Sequence, residues 1–398
     1  FSELQVSYKI AFHTIRHLMS NRPMSGTMNV EEAGHRQATQ AAGTDFGELL
    51  VSFRGRLETD LMAWVEAKRL ATRAELAEAD ELTGVLSEFL ARDGKRLRPA
   101  LVYYSYRACG GDSEPVVMPV AMAVELLHTY LLVHDDIMDH AKTRRGEPAV
   151  HVLFSDLHRD RGWQGDSSHF GTSVGILLGD LAESYAVELY SSSVMSEDVR
   201  ADVRQCFSTM CQEVIVGQYL EMTAGYRGTL TEAELLRILQ MKSGRYSVER
   251  PVQLGALLAG ASGDTLDALT RYGARLGEAF QLQDDLLGMF GDVETVGKPV
   301  GEDLAEGKYT ILIHSALAKL SPADRTIVER ALGNADVRED EVREVQRLIE
   351  SVGARQQVVE MVDTRLQTAE QALDEADVTG PGADFLQGLM DYLRGRER

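Results

Sequence analysis

From about residue 48 to the C-terminus, apolar residues recur every three or four positions in segment after segment, the spacing of one buried helix face. LLVSFRGRLETDLMAWVEAKRL (49–70), VMPVAMAVELLHTYLLVHDDIMD (117–139), DVRQCFSTMCQEVIVGQYLEM (202–222) and DALTRYGARLGEAFQLQDDLLGMF (267–290) show it most plainly. Sustained strand alternation is absent from the sequence. Thr231 followed by Glu234 predicts a capping box, in which each side chain accepts from the other residue's backbone N–H, just before ELLRILQM. Helix stops are predicted at Gly110-Gly111, at the RRGEP turn (144–148) and at Gly291, and HRDRGWQGDSSHFG (158–171) reads as a loop. Residues 1–19 predict one amphipathic helix, and 20–47 are polar with Gly and Pro punctuation. The expected organisation is an N-terminal helix with linker or tail (1–47) and one large all-α domain (48–398).

With 398 residues, 44% of them hydrophobic, the chain can bury a large core. Its 62 acidic against 41 basic residues give a formal charge of −21, which excludes a general binder of nucleic acid or anionic membrane. Three cysteines without neighbouring ligands at metal spacing make neither a disulfide framework nor a zinc site, so a reducing cytoplasm is the expected compartment. The apolar segments read as too short or too interrupted to span a bilayer, and FSELQVSYKIAFHTIRHLM lacks the pattern of a secretory signal.

The end of the second segment, HDDIMDHAKTRRG, concentrates charge where burial should give way to solvent. On a helix, Asp135 and Asp139 are four residues apart and Asp136 and Asp139 three apart, so the three carboxylates can share one edge. Their mutual repulsion and the negative end of the helix dipole each cost roughly a few tenths of a kcal/mol, so a cation is wanted there. A solvated acidic face with Arg144 and Arg145 as ordinary partners accounts for a lone motif equally well. A second occurrence shifts the balance: FQLQDDLLGMFGD (280–292) again brings an apolar helix into paired carboxylates, Asp284 and Asp285. Mg²⁺ takes oxygen ligands and is completed by substrate phosphates, so two acidic helix ends across a bundle suit a Mg²⁺–diphosphate. Lys95, Arg98, Arg144, Arg145, Lys242, Lys298 and Lys308 supply candidate phosphate contacts, Arg as a planar fork and Lys as a point charge.

GKRLRP, ELLHTYLLVHDDIMD followed by RRG, GQYLE, MKSGRY, FQLQDD, VGKP and EGKYT together resemble, in order, the all-trans polyprenyl diphosphate synthases from about residue 48 onward. The resemblance implies an antiparallel helical bundle around a central cavity, a homodimer, and head-to-tail condensation of isopentenyl diphosphate with an allylic diphosphate. It implies that Asp135, Asp136, Asp139, Asp284 and Asp285 bind three Mg²⁺ ions on the allylic diphosphate, helped by Arg144, Lys242, Lys298 and Lys308. Lys95, Arg98, His128 and Arg145 become the metal-free isopentenyl diphosphate site, although a lone His128 on an apolar helix also fits as a core histidine. Lys242, Ser243 and Gln281 lie where the family steadies the allylic carbocation, and departing diphosphate is the implied proton acceptor. Gly288 stands where many members carry a third aspartate, Ser243 replaces the usual Thr, and Glu221 replaces the usual Asp after GQ.

Tyr130, five residues before Asp135 and thus about 7 Å up the helix, is either the floor that limits the product's tail or a core aromatic. As a floor it resembles the geranylgeranyl diphosphate type; farnesyl and longer products are the alternatives. A class I terpene cyclase lacks support, because its second metal motif is not found and two basic clusters suit two diphosphates better than one. A non-catalytic subunit of a heteromeric synthase would be expected to have lost one aspartate motif.

Overall fold

Asp45 starts the first helix of this computed structural model, which describes residues 45–227, 230–291 and 301–396. The expected helix over 1–19, and the linker as far as residue 44, lie outside them. The Asp45 carboxylate accepts from the Gly47 N–H and opens α1 (Phe46–Glu75), which buries Phe53, Leu57, Leu61 and Val65 at four-residue spacing. After α2 (Asp80–Ala91) and α3 (Leu97–Ala108) comes α4 (Glu114–Met138), in which every residue from Val120 to Leu127 is buried.

Helix α4 corrects the reading that no apolar segment is long enough for a bilayer. Pro119 lies inside it without ending it, and at 25 residues it is long and apolar enough to cross a membrane by length and composition. Its apolar window is 67% buried within the protein, and Glu125 at its middle forms an ion pair with the equally buried Arg96. It is therefore the core helix of the bundle.

The RRGEP stop is a two-stranded hairpin, β1 (Thr143–Arg144) paired antiparallel with β2 (Glu147–Pro148). Arg145 and Gly146 both have positive φ (57° and 78°), the conformation that a tight hairpin turn demands of its two central residues. The loop expected over 158–171 is shorter in fact. Helix α5 (Val150–Asp160) runs to Asp160 and α6 (Ser167–Ser192) begins at Ser167, because Asp166 accepts from the N–H groups of Ser168 and His169. Edge-on packing of Trp163 against Phe170 and His158 closes the short turn. Periodicity alone placed these helix ends too far apart because the polar residues cap and pack locally.

Helix α7 (Glu197–Arg227) is followed by α8 (Glu232–Ile238), whose Thr231–Glu234 capping box forms as expected. The chain then widens into a π-helical segment, Leu239–Glu249, before returning to α-helix in α9 (Arg250–Leu258). Helix α10 (Gly263–Phe290) ends at Gly291, as expected. The short α11 (Glu302–Ala305) and α12 (Ile311–Leu317) lead to α13 (Pro322–Ala331), α14 (Glu339–Ser351), α15 (Ala354–Asp374) and α16 (Gly380–Gly395). The fold is all-α: α4 packs on α6, α3 on α9 and α16, and α10 on α15 and the π-helical segment.

Two glycines decide how tightly that segment is held. A β-carbon on Gly217 of α7 would lie 2.5 Å from the backbone nitrogen of Lys242, and one on Gly277 of α10 would overlap the carbonyl of Gly244. Bare backbone on both sides lets α7 and α10 grip the segment and present Lys242 and Ser243 between them.

Candidate active site

Helix α4 ends where His140 turns to positive φ (54°), which leaves Asp139 as its C-cap and puts the first acidic motif on the last turn. The three carboxylates do not act alike. Asp136 is buried; its Oδ1 accepts from the Arg144 guanidinium (Nε at 2.7 Å), while its Oδ2 is buried with no partner. Asp135 lies 3.9 Å from the Lys242 ammonium, which is also paired with Glu221. Asp139 faces a cavity of about 900 Å³, where burial and the charge of Asp135 push its pKa up to about 6 against the opposing pull of Lys242 and Lys308.

Asp284 and Asp285 project into the same cavity from the last two turns of α10. Burial pushes Asp285 up to about 8; the Gln281 amide, donating to its Oδ1 at 2.9 Å, pulls the other way, and the charges of Asp303 and Asp284 add to the rise. Asp284 is also raised by burial, in spite of the Arg396 guanidinium 3.0 Å from its Oδ1. Two acidic helix ends, roughly 150 residues apart in sequence, thus wall one hollow. Lys95, Lys242, Ser243, Gln281 and Lys308 line it with them.

Arg98, Arg144 and Arg145 cluster around His128, while Lys95 lines the carboxylate-walled cavity. Arg98 is stacked over Tyr246 (4.7 Å), donates to the Ser247 hydroxyl (2.7 Å), and lies 3.3 Å from His128 Nε2. His128 Nδ1 meets the Tyr246 hydroxyl at 3.1 Å, and burial, with Arg98 and Arg145 next, lowers its pKa well below the ordinary value, so the ring is neutral. Burial likewise lowers the Arg145 pKa, with Arg96, Arg144 and Arg98 contributing and only Glu125 opposing. Arg98 Nε is buried without a partner. Within this group Arg144 is paired with the Asp136 carboxylate.

Two expected residues stand apart. Lys298 lies outside the described residues. Tyr130 does not line the cavity; it is half-buried, edge-on to His134 (4.6 Å), its hydroxyl raised by burial and by Glu183 and Asp180 of α6. Sequence reasoning also missed residues that the site uses. Tyr246 and Ser247 follow SGR in the π-helical segment, where their role depends on a wide helical turn that periodicity does not reveal. Asp303 and Glu306 hold Lys308, and their position, Asp303 just before EGKY and Glu306 as its first residue, was the available signal. Arg396 has no local signal at all.

The sequence profile described as polyprenyl synthetase matches residues 79–349. The chain belongs to the polyprenyl synthetase family. Among curated relatives, a short chain isoprenyl diphosphate synthase of Methanocaldococcus jannaschii is 36% identical over 67% of this chain and 75% of its own. A geranylgeranyl diphosphate synthase of Methanosarcina mazei is 34% identical over 76% of this chain and 86% of its own. Among solved structures, a geranylgeranyl pyrophosphate synthase of Corynebacterium glutamicum, complexed with isoprenyl diphosphate and magnesium, superposes with a TM-score of 0.82. It is 31% identical, over 87% of this chain and 99% of its own.

The polyprenyl synthetase site fits a magnesium–diphosphate on its own chemistry. Its donors are carboxylate oxygens, one of them, Asp136 Oδ2, buried and unpartnered. Among the described residues no three acidic, histidine or cysteine groups form a ready-made cage. An open pair of rims suits Mg²⁺, which draws much of its shell from water and substrate phosphates.

Proposed function

We propose that this prenyltransferase condenses isopentenyl diphosphate head-to-tail with allylic diphosphates, in a magnesium-dependent reaction whose product is geranylgeranyl diphosphate. The observation that carries this reading is the pairing of one hollow walled by two carboxylate rims with a separate cluster of Arg98, Arg144 and Arg145 around His128. One diphosphate needs metal and the other does not, and the two sites differ in that respect.

Asp135, Asp136, Asp139, Asp284 and Asp285 would hold Mg²⁺ ions, three by the family's expectation, and the allylic diphosphate on them; bound metal would neutralise that group and ease departure of its charge. Lys242, Lys308 and Arg144 approach the same region and complete its anion binding, with Lys298 expected alongside. Arg98, Arg145, His128 and Lys95 take isopentenyl diphosphate; neutral His128, whose Nε2 accepts from Arg98 and whose Nδ1 meets the Tyr246 hydroxyl, holds the Arg98 guanidinium in place without altering the charge balance. The Ser243 hydroxyl and the Gln281 amide oxygen turn their negative ends toward the allylic cation in the water-poor hollow. Both aspartate pairs are present, which favours an active enzyme over a non-catalytic subunit.

A homodimer is supported by apolar side chains left in solvent on α6 and α7: Leu177 is 57% exposed, Ile215 49% and Tyr219 65%. The cysteines are free thiols, which is compatible with the cytoplasm. The test of the reaction is incubation with Mg²⁺, labelled isopentenyl diphosphate and each short allylic diphosphate, with products resolved by chain length. Asp135→Ala should lower turnover by a factor on the order of 10² or more; wild-type rates in that variant would defeat the assignment.

A further inference from the structure

The first acidic motif has carboxylates at positions 135, 136 and 139. The second repeats the spacing at 284, 285 and 288 but ends in Gly288, which has no side chain to contribute. Position 288 is four residues from Asp284 and three from Asp285, so on α10 it shares their face. That place is not empty. A β-carbon on Gly288 would overlap Oδ2 of Asp303, which arrives from α11 fifteen positions later in the sequence.

We propose that Asp303 is the third carboxylate of the second metal rim, supplied from another element into the space that Gly288 vacates. Two further observations support it. Asp303 lines the same cavity as Asp284 and Asp285. The two segments are tied by backbone: the Gly301 N–H donates to the Gly288 carbonyl at 3.2 Å, and Asp303 Oδ1 accepts from the Lys308 ammonium at 2.9 Å. Oδ1 is thus anchored by the lysine while Oδ2 is directed at α10. Glycine at 288 is then a steric requirement, because a side chain there and Asp303 would claim one volume.

The assignment rests on the magnesium–diphosphate reading above, and its test has a readout other than turnover. Mn²⁺ is titrated into the full chain in the presence of inorganic diphosphate and followed by calorimetry and by the paramagnetic signal of free Mn²⁺. Asp303→Asn keeps the shape and should weaken Mn²⁺ binding tenfold or more, within the range seen when supporting groups of metal sites are removed. Glu329→Gln removes an equal charge from the exposed Arg325–Glu329 pair on α13, outside the cavity lining, and should leave Mn²⁺ affinity within about twofold, a change close to ordinary surface effects. Transplanting the carboxylate in Gly288→Asp/Asp303→Ala should restore most of the wild-type affinity, even if Asp303→Ala alone folds poorly. Equal weakening by Glu329→Gln, or wild-type affinity in Asp303→Asn, overturns the role of Asp303. Neither result touches the proposed reaction, which the wild-type turnover assay decides separately.

Discussion

Burial raises the proton affinity of Asp136, Asp139, Asp284 and Asp285 at the proposed metal site, and neighbouring carboxylates add to it at Asp139 and Asp285, so the metal-free protein carries stored electrostatic stress. Asp285 is pushed up to about 8 and Asp139 to about 6, against an ordinary 3.8 for aspartate. A raised folded-state pKa means that the native state binds more protons than the unfolded chain, so these groups stabilise the fold at low pH. That stability is lost as pH rises from the ordinary value through about 6 for Asp139 and about 8 for Asp285. Asp285→Asn should therefore raise the metal-free Tm at pH 8.5 by about 2–4 °C and flatten its decline above pH 6. Calorimetric scans across that range check it, and a lowered Tm would mean that Asp285 is stabilised by neighbours rather than strained. Tyr130 poses a different question at the same scale. Standing behind the hollow and edge-on to His134, it can end the product's path only if the tail reaches between α4 and α6. Tyr130→Ala should then lengthen the products seen by chromatography; an unchanged distribution would make it a packing residue.

Among the elements, the π-helical segment carries the most consequence per residue. Its widened turns hold Lys242 and Ser243 at the cavity and Tyr246 and Ser247 against Arg98 and His128, so one segment serves both proposed diphosphate sites. It is kept in place by backbone contact at Gly217 and Gly277. Gly217→Val should force α7 from Lys242, costing about 1–3 kcal/mol of stability by overpacking. The same change should lower kcat for condensation about tenfold through misplacement of Lys242. Thermal unfolding with steady-state kinetics separates the two effects; a Tm drop with unchanged kcat would show that the segment positions nothing catalytic.

At the scale of the whole molecule, a chain of net charge −21 nevertheless gathers Arg92, Arg96, Arg98, Arg144 and Arg145 on one side of its bundle. The surplus acid keeps polyanions away, while the clustered arginines suit the small diphosphate proposed to bind there. The exposed apolar side chains of Ile215 and Tyr219 on α7 and of Ile176 and Leu177 on α6 are the proposed dimer face. Ile215→Lys with Tyr219→Lys should convert a dimer to a monomer in sedimentation velocity at micromolar concentration. Retention of the wild-type species would move the interface elsewhere.

Helix periodicity, the Thr231–Glu234 box and the Gly291 stop made the all-α class legible, because these signals act within a few residues of themselves. The two aspartate motifs and the basic motifs were legible for a similar reason: charge placed at the end of an apolar helix is costly, and its repetition demands a shared purpose. Local pattern could not show that Asp139, Asp284 and Asp285 wall one hollow, that Asp136 is turned toward Arg144, or that Tyr246 and Ser247 hold Arg98 and His128. Still less could it show Asp303 in the space beside Gly288, or Arg396 on Asp284. Those are contacts between elements far apart in the chain, and only the close packing of helices, which decides what fills each gap, determines them.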